Sequence, residues 1–199
     1  MSWRFFAISP GDGRDLSPWI EAMGGSVTDL VLREPTGDLA HPARLACTLG
    51  IEVWLHSCHP QALTLALAHR YGLHLPSQAP PTGHRHGRSC HDANELDRAF
   101  DQGAAYGFLS PVHRPTSKPS DSREPLGVDR FIALSAGRPV IALGGIDPAR
   151  AHALREAGAH GVAVLGDLFD RAPAELAAYL QRYPLSELPG PSMMNSSGS

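Results

Sequence analysis

The sequence predicts an α/β fold, a compact (β/α)8 TIM barrel, and three observations carry that reading. Short apolar runs rich in β-branched residues alternate with amphipathic segments of roughly a dozen residues along nearly the whole chain, the pattern of a parallel sheet with helical crossovers. Eight such runs are present, enough to close a barrel. Most of the segments between them end at or just before glycine, the residue that best adopts a left-handed helix C-cap. At 199 residues the chain sits at the lower edge of the barrel range, so its connections must be short. An open doubly wound sheet is the alternative arrangement.

In chain order, the strands are expected at RFFAIS (4–9), TDLVLRE (28–34), EVWLHS (52–57) and GLHLP (72–76). GRSC (87–90), YGFLSPV (106–112), PVIALGG (139–145) and GVAVLGD (161–167) follow. Helices are expected within 16–25, 39–50, 60–72, 92–104, 127–137, 147–159 and 172–183, the first six closing on glycine. The helix after GRSC carries its own start signal: Asp92 can cap free amides and Glu95 lies three positions on, close to a capping box. PSQAPPTGHRH, after the fourth strand, is too rich in proline and glycine for a helix, so that crossover is expected to be reduced or missing.

Composition narrows the partners. A net charge of -3 offers no basic field for nucleic acid or an anionic membrane surface, which favours a small-molecule ligand. No apolar run has the length of a membrane span or a secretory h-region, and the three cysteines lack metal-site spacing; a cytoplasmic protein with reduced, mostly buried thiols is expected. Residues 1–186 are read as one domain, 187–199 as a flexible tail. A homodimer is compatible with these features.

In a barrel the active site lies among the loops after the strands. The seventh and eighth strands run into LGGID and LGDLF, where the amides of Gly144, Gly145 and Gly166, with a short helix after Gly166, would seat a dianion. Tight turns alone would also account for these glycines. Arg33, His56, Ser89, His91 and the stretch Ser110–Lys118, with Ser117 and Lys118, stand at other strand ends and suit a phosphorylated ligand. Histidines 56, 74, 91 and 113 fall in or just after strands, and an imidazole there can move a proton near neutral pH. His113 and His56 are the catalytic candidates. No histidine and carboxylate cluster has metal-site spacing, so no metal ligands are assigned.

The segments GRSCHDANELDRAFDQGAAYGFLSPVHRPTSKP and PVIALGGIDPARAHALREAGAHGVAVLGDLF, with LREP and HLPS in register, resemble the thiamine phosphate synthase and TenI family, the similarity running from about Arg4 to Phe169. The resemblance implies a (β/α)8 barrel acting on thiazole phosphate in thiamine biosynthesis, with the phosphate on Gly144, Gly145 and Gly166. Its synthases couple hydroxymethylpyrimidine diphosphate to thiazole phosphate with Mg2+; its TenI-like members are tautomerases that aromatise the thiazole by a proton shift.

Departures separate the two. The synthase motif Gln-Leu-Arg-Glu-Lys is here Val31 to Pro35, keeping Arg33 but losing both flanking polar groups. His56 and Ser57 replace an Asn-Asp pair, and LPSQAP holds no carboxylate where a metal-binding aspartate is expected. Ser117 and Lys118 of the anion grip remain, with Pro115 at its first threonine, and Pro111 stands where TenI-like enzymes place a histidine. The leading expectation is therefore a TenI-like thiazole tautomerase needing no cofactor, with Arg33, Ser89, Ser117 and Lys118 as substrate contacts. The alternatives are a Mg2+-dependent synthase with a rearranged metal site, or a non-catalytic barrel that binds a phosphorylated ligand.

Overall fold

The computed structural model describes residues 2–114 and 123–184. The segment that holds Ser117 and Lys118, and the tail expected at 187–199, lie outside the described residues. The chain runs β1 (Arg4–Ile8), α1 (Ser17–Met23), β2 (Asp29–Leu32), α2 (Ala40–Thr48), β3 (Glu52–His56), α3 (Ala62–His69) and β4 (Gly72–Leu75). It continues through β5 (His86–Cys90), α4 (Ala93–Asp101), β6 (Tyr106–Leu109), α5 (Gly127–Ser135), β7 (Val140–Leu143), α6 (Pro148–Glu156), β8 (Gly161–Leu165) and α7 (Pro173–Leu180). All neighbouring strands pair in parallel and β1 pairs with β8, closing the eight-stranded barrel that the alternation predicts. The doubly wound alternative is excluded.

The missing crossover is where the prolines place it: β4 passes to β5 without a helix. A buried arginine takes over the helix's work. Arg88, 1 % exposed, points outward from β5 and donates through Nη1 to Ala79 O at 2.6 Å and Ser77 O at 3.3 Å, and through Nη2 to Pro80 O at 3.3 Å. One guanidinium thus satisfies carbonyls that a helix would have paired internally.

Side chains alternate between two cores. Outward strand residues pack under the helices, whereas Phe6, Ile8, Val31, Trp54, Tyr106, Phe108, Ile141 and Ala163 fill the barrel interior. Bulky rings fit there because the neighbouring strand carries glycine in register: a Cβ on Gly72 would lie 2.1 Å from the Trp54 ring, and one on Gly87 2.1 Å from the Tyr106 ring.

Local signals are realised with two exceptions. Asp92 accepts from the Glu95 amide at 2.8 Å, while the Glu95 carboxylate reaches back to the His91 amide, also at 2.8 Å, one residue before the position a capping box would use. α3, however, ends on Arg70 at φ 60° rather than on glycine, because Gly72 is needed inside the barrel. Of the thiols, Cys90 is buried but Cys47 and Cys58 are exposed, so the expectation of mostly buried cysteines fails.

Candidate functional site

The carboxyl end of the barrel carries two groups of candidate residues. On the β2–β5 side, period-two alternation brings His56, His74 and Ser89 to the inner face above the aromatic core. The rings of His56 and His74 lie 5.6 Å apart, and His74 Nε2 is 2.9 Å from Ser89 Oγ. Arg33, one residue past β2, anchors its Nη2 on Pro10 O at 3.0 Å, while its buried Nε has no hydrogen-bond partner among the described residues. Its carboxylate neighbour is occupied elsewhere: Glu34, 5 % exposed, accepts from the amides of Gly11 at 3.0 Å and Gly13 at 3.2 Å and so pins the β1–α1 connection.

The environment sets the charge of these imidazoles. Burial, reinforced by the Arg33 cation, pushes the His56 pKa down to about 4. His56 Nδ1 accepts from the Cys58 amide at 3.0 Å, so the single proton of the neutral ring sits on Nε2. Burial first, then the neighbouring His56 and Arg88, holds His74 well below the ordinary imidazole range.

The second group stands on the β6–β8 side. Leu143 O accepts from the Val112 amide at 2.9 Å and Gly144 O from the His113 amide at 3.1 Å, so the β6–α5 connection is laid against the end of β7. Gly145 has φ +61°, and a Cβ there would meet Arg114 O at 2.6 Å and His113 Cβ at 3.0 Å; one on Gly144 would meet Pro111 Cα at 2.9 Å. Close approach of this connection therefore demands the two glycines. The amides of Gly144, Gly145 and Gly166 nevertheless donate to no acceptor among the described residues. The stretch after Gly166 is a turn over 167–170 rather than the expected short helix. His113 packs beside Gly145 with its Nε2 buried and without a hydrogen-bond partner among the described residues, and burial, then the Arg150 cation, lowers its pKa.

His56, Arg33 and Ser89 thus share one side of the mouth, whereas His113 belongs with Gly144 and Gly145 on the other. The site list drawn from sequence missed Tyr106, which bonds His74, and left His74 without a role. Their signal was legible in part, since Gly72 with His74 and Gly87 with Ser89 sit two apart and so share a strand face.

The resemblance to synthases implies Mg2+, a hard cation that takes carboxylate oxygens. The ends of β3 and β4 present imidazole and hydroxyl groups, and Glu34 is committed to two backbone amides. Among the described residues no group of three His, Cys, Asp or Glu could hold a metal ion. These side chains do not fit a Mg2+-diphosphate centre.

Comparison with known proteins places the chain. A profile of the family described as thiamine monophosphate synthase matches residues 69–168. A putative thiamine-phosphate synthase of Geobacter sulfurreducens is 32 % identical over 185 residues, covering 84 % of this chain and 86 % of that protein. The bifunctional protein ThiM/ThiE of Symbiobacterium thermophilum is 44 % identical over 81 residues, which are 40 % of this chain and 17 % of that one. Matches to several further relatives also span well under half of those proteins, 37 % and 36 % in two thiamine-phosphate synthases. Among solved structures, a thiamine phosphate pyrophosphorylase from Pyrococcus furiosus superposes with a TM-score of 0.71 at 18 % identity, over 90 % of this chain and 92 % of that one, which supports the fold. No helix among the described residues is long and apolar enough to cross a membrane. With its barrel and its matching segments taken together, the chain belongs to the thiamine monophosphate synthase family.

Proposed function

We propose that this protein binds a thiazole phosphate at the carboxyl end of its barrel and promotes an aromatising proton shift on the ring. The observation that carries this reading is the polarity of the β2–β5 side of the mouth: an arginine, a neutral imidazole with its proton on Nε2, and a serine hydroxyl, with the adjacent carboxylate of Glu34 committed to backbone amides. Cations and donors suit an anionic ligand and stabilise negative charge that develops on a ring when a proton leaves carbon. A neutral imidazole is effective in that role as a hydrogen-bond donor.

In this reading the phosphate is held by the amides of Gly144, Gly145 and Gly166, with Ser117 and Lys118 as further contacts, and Arg33 engages a second anionic group of the ligand. One proton leaves a ring carbon and one returns elsewhere on the ring, so the shift needs no co-reactant. His56 hydrogen-bonds the intermediate anion, and His113, whose Nε2 has no partner among the described residues, carries the proton. Replacing His56 and His113 separately and assaying aromatisation of the non-aromatic thiazole tautomer tests the assignment; full activity in both variants refutes it.

A second reading, coupling of hydroxymethylpyrimidine diphosphate to thiazole phosphate, is favoured by the description of the family and the printed names of its relatives. Formation of thiamine phosphate in the presence of Mg2+ would establish it and displace the first. Calorimetric binding of thiazole phosphate without turnover by either route would instead identify a binding protein.

A further inference from the structure

Below the mouth, the barrel interior holds two groups that the proposed reaction does not use, Tyr106 and His74, hydrogen-bonded to Ser89, which it does use. Tyr106 Oη lies 2.8 Å from His74 Nδ1, and His74 Nε2 lies 2.9 Å from Ser89 Oγ. Tyr106 is 0 % and His74 2 % exposed, whereas Ser89 is half-buried at the end of β5. The phenol is locked in place. Its ring lies flat over Gly87, where a Cβ would come within 2.1 Å, with Trp54 edge-on at 4.7 Å, Phe6 at 4.7 Å and Phe108 at 5.0 Å between ring centroids.

Counting donors gives the chain a direction. A neutral imidazole has one N–H. Were it on Nδ1, it would donate to Tyr106 Oη, and the phenolic hydrogen would be left in the core without an acceptor among the described residues, the costly outcome for a buried polar group. With the proton on Nε2, Tyr106 donates to Nδ1 and Nε2–H donates to Ser89 Oγ, so both buried hydrogens are used. Ser89 Oγ then accepts from below, and its own O–H is left for the mouth.

We infer that Tyr106 is a positioning residue that acts through His74 to present the Ser89 hydroxyl as a hydrogen-bond donor, so that the site takes a ligand with a lone-pair acceptor at that point, a carboxylate oxygen or a ring heteroatom, and disfavours one presenting N–H or O–H there. The ligand clause rests on the function proposed above; the direction of the chain does not. Burial keeps His74 neutral, as this polarity requires.

The test uses the full chain labelled with 15N-histidine. NMR should show His74 as the Nε2–H form throughout the range in which an ordinary histidine titrates. Tyr106→Phe should leave the proton on Nε2, still bonded to Ser89, but shift the Nδ1 resonance, because that nitrogen loses the O–H it accepts, a change that loss of packing alone would not produce. Ser89→Ala should bind thiazole phosphate roughly tenfold more weakly by calorimetry, the loss of one hydrogen bond, and Ser89→Thr should restore binding. An Nδ1–H tautomer in the unmodified protein, or an Nδ1 resonance unaffected by Tyr106→Phe, overturns the inference. If the unmodified protein does not bind thiazole phosphate, the functional reading and the ligand clause fall together, and the imidazole spectrum still decides the relay.

Discussion

Acidification should weaken the fold through His56 by an amount its surroundings define. The folded pKa of about 4 lies below the ordinary 6.5, so the unfolded chain binds the proton more readily. The stabilising contribution is complete above about pH 6.5 and is lost progressively as pH falls toward 4. For a fully buried ring the gap would correspond to about 3 kcal/mol. The ring is partly open to solvent, which screens the effect, and about 1 kcal/mol is expected between about pH 7 and pH 5. In a chain of this size that is a fall of about 2–4 °C in thermal midpoint. Thermal melts of the unmodified protein and of His56→Gln, each followed over that range, isolate the effect. His74 and His113 contribute to both melts and cancel in the difference. Parallel loss of stability in the two proteins would show that His56 is not held neutral by the fold, and the donor role assigned to it would go with that result.

Gly145→Ala forces a side chain into a left-handed backbone at φ +61°, 2.6 Å from Arg114 O; we expect about 2–3 kcal/mol of destabilisation by urea unfolding, and a neutral effect would show that the β6–α5 connection does not lie against this turn. Arg88→Met removes the guanidinium from three carbonyls, so the β4–β5 connection should be cut faster by protease and stability should fall by about 2–3 kcal/mol. Millimolar Mg2+ should leave the thermal midpoint unchanged, because Glu34 is committed to the Gly11 and Gly13 amides; a concentration-dependent rise would reveal a metal site and favour the coupling reading.

How far the sequence alone reaches depends on the range of the forces involved. The order of strands and helices, the parallel closure, the Asp92 cap and the missing crossover after β4 were all legible, because periodicity, capping and proline chemistry act within a few residues. The family was legible for the same reason, its motifs being contiguous. What packs against what was not. Glycines 144 and 145 read as a turn or a seat, and only the tertiary structure shows the β6–α5 connection pressed against them, with their amides unpaired among the described residues. His56 and His113 looked equivalent as histidines near strand ends; closure of the barrel put one beside Arg33 and the other beside Arg150. Tyr106 and His74 meet across 32 residues of sequence, a contact set by register and shear, and a one-residue slip of either strand would have turned its side chain to the opposite face.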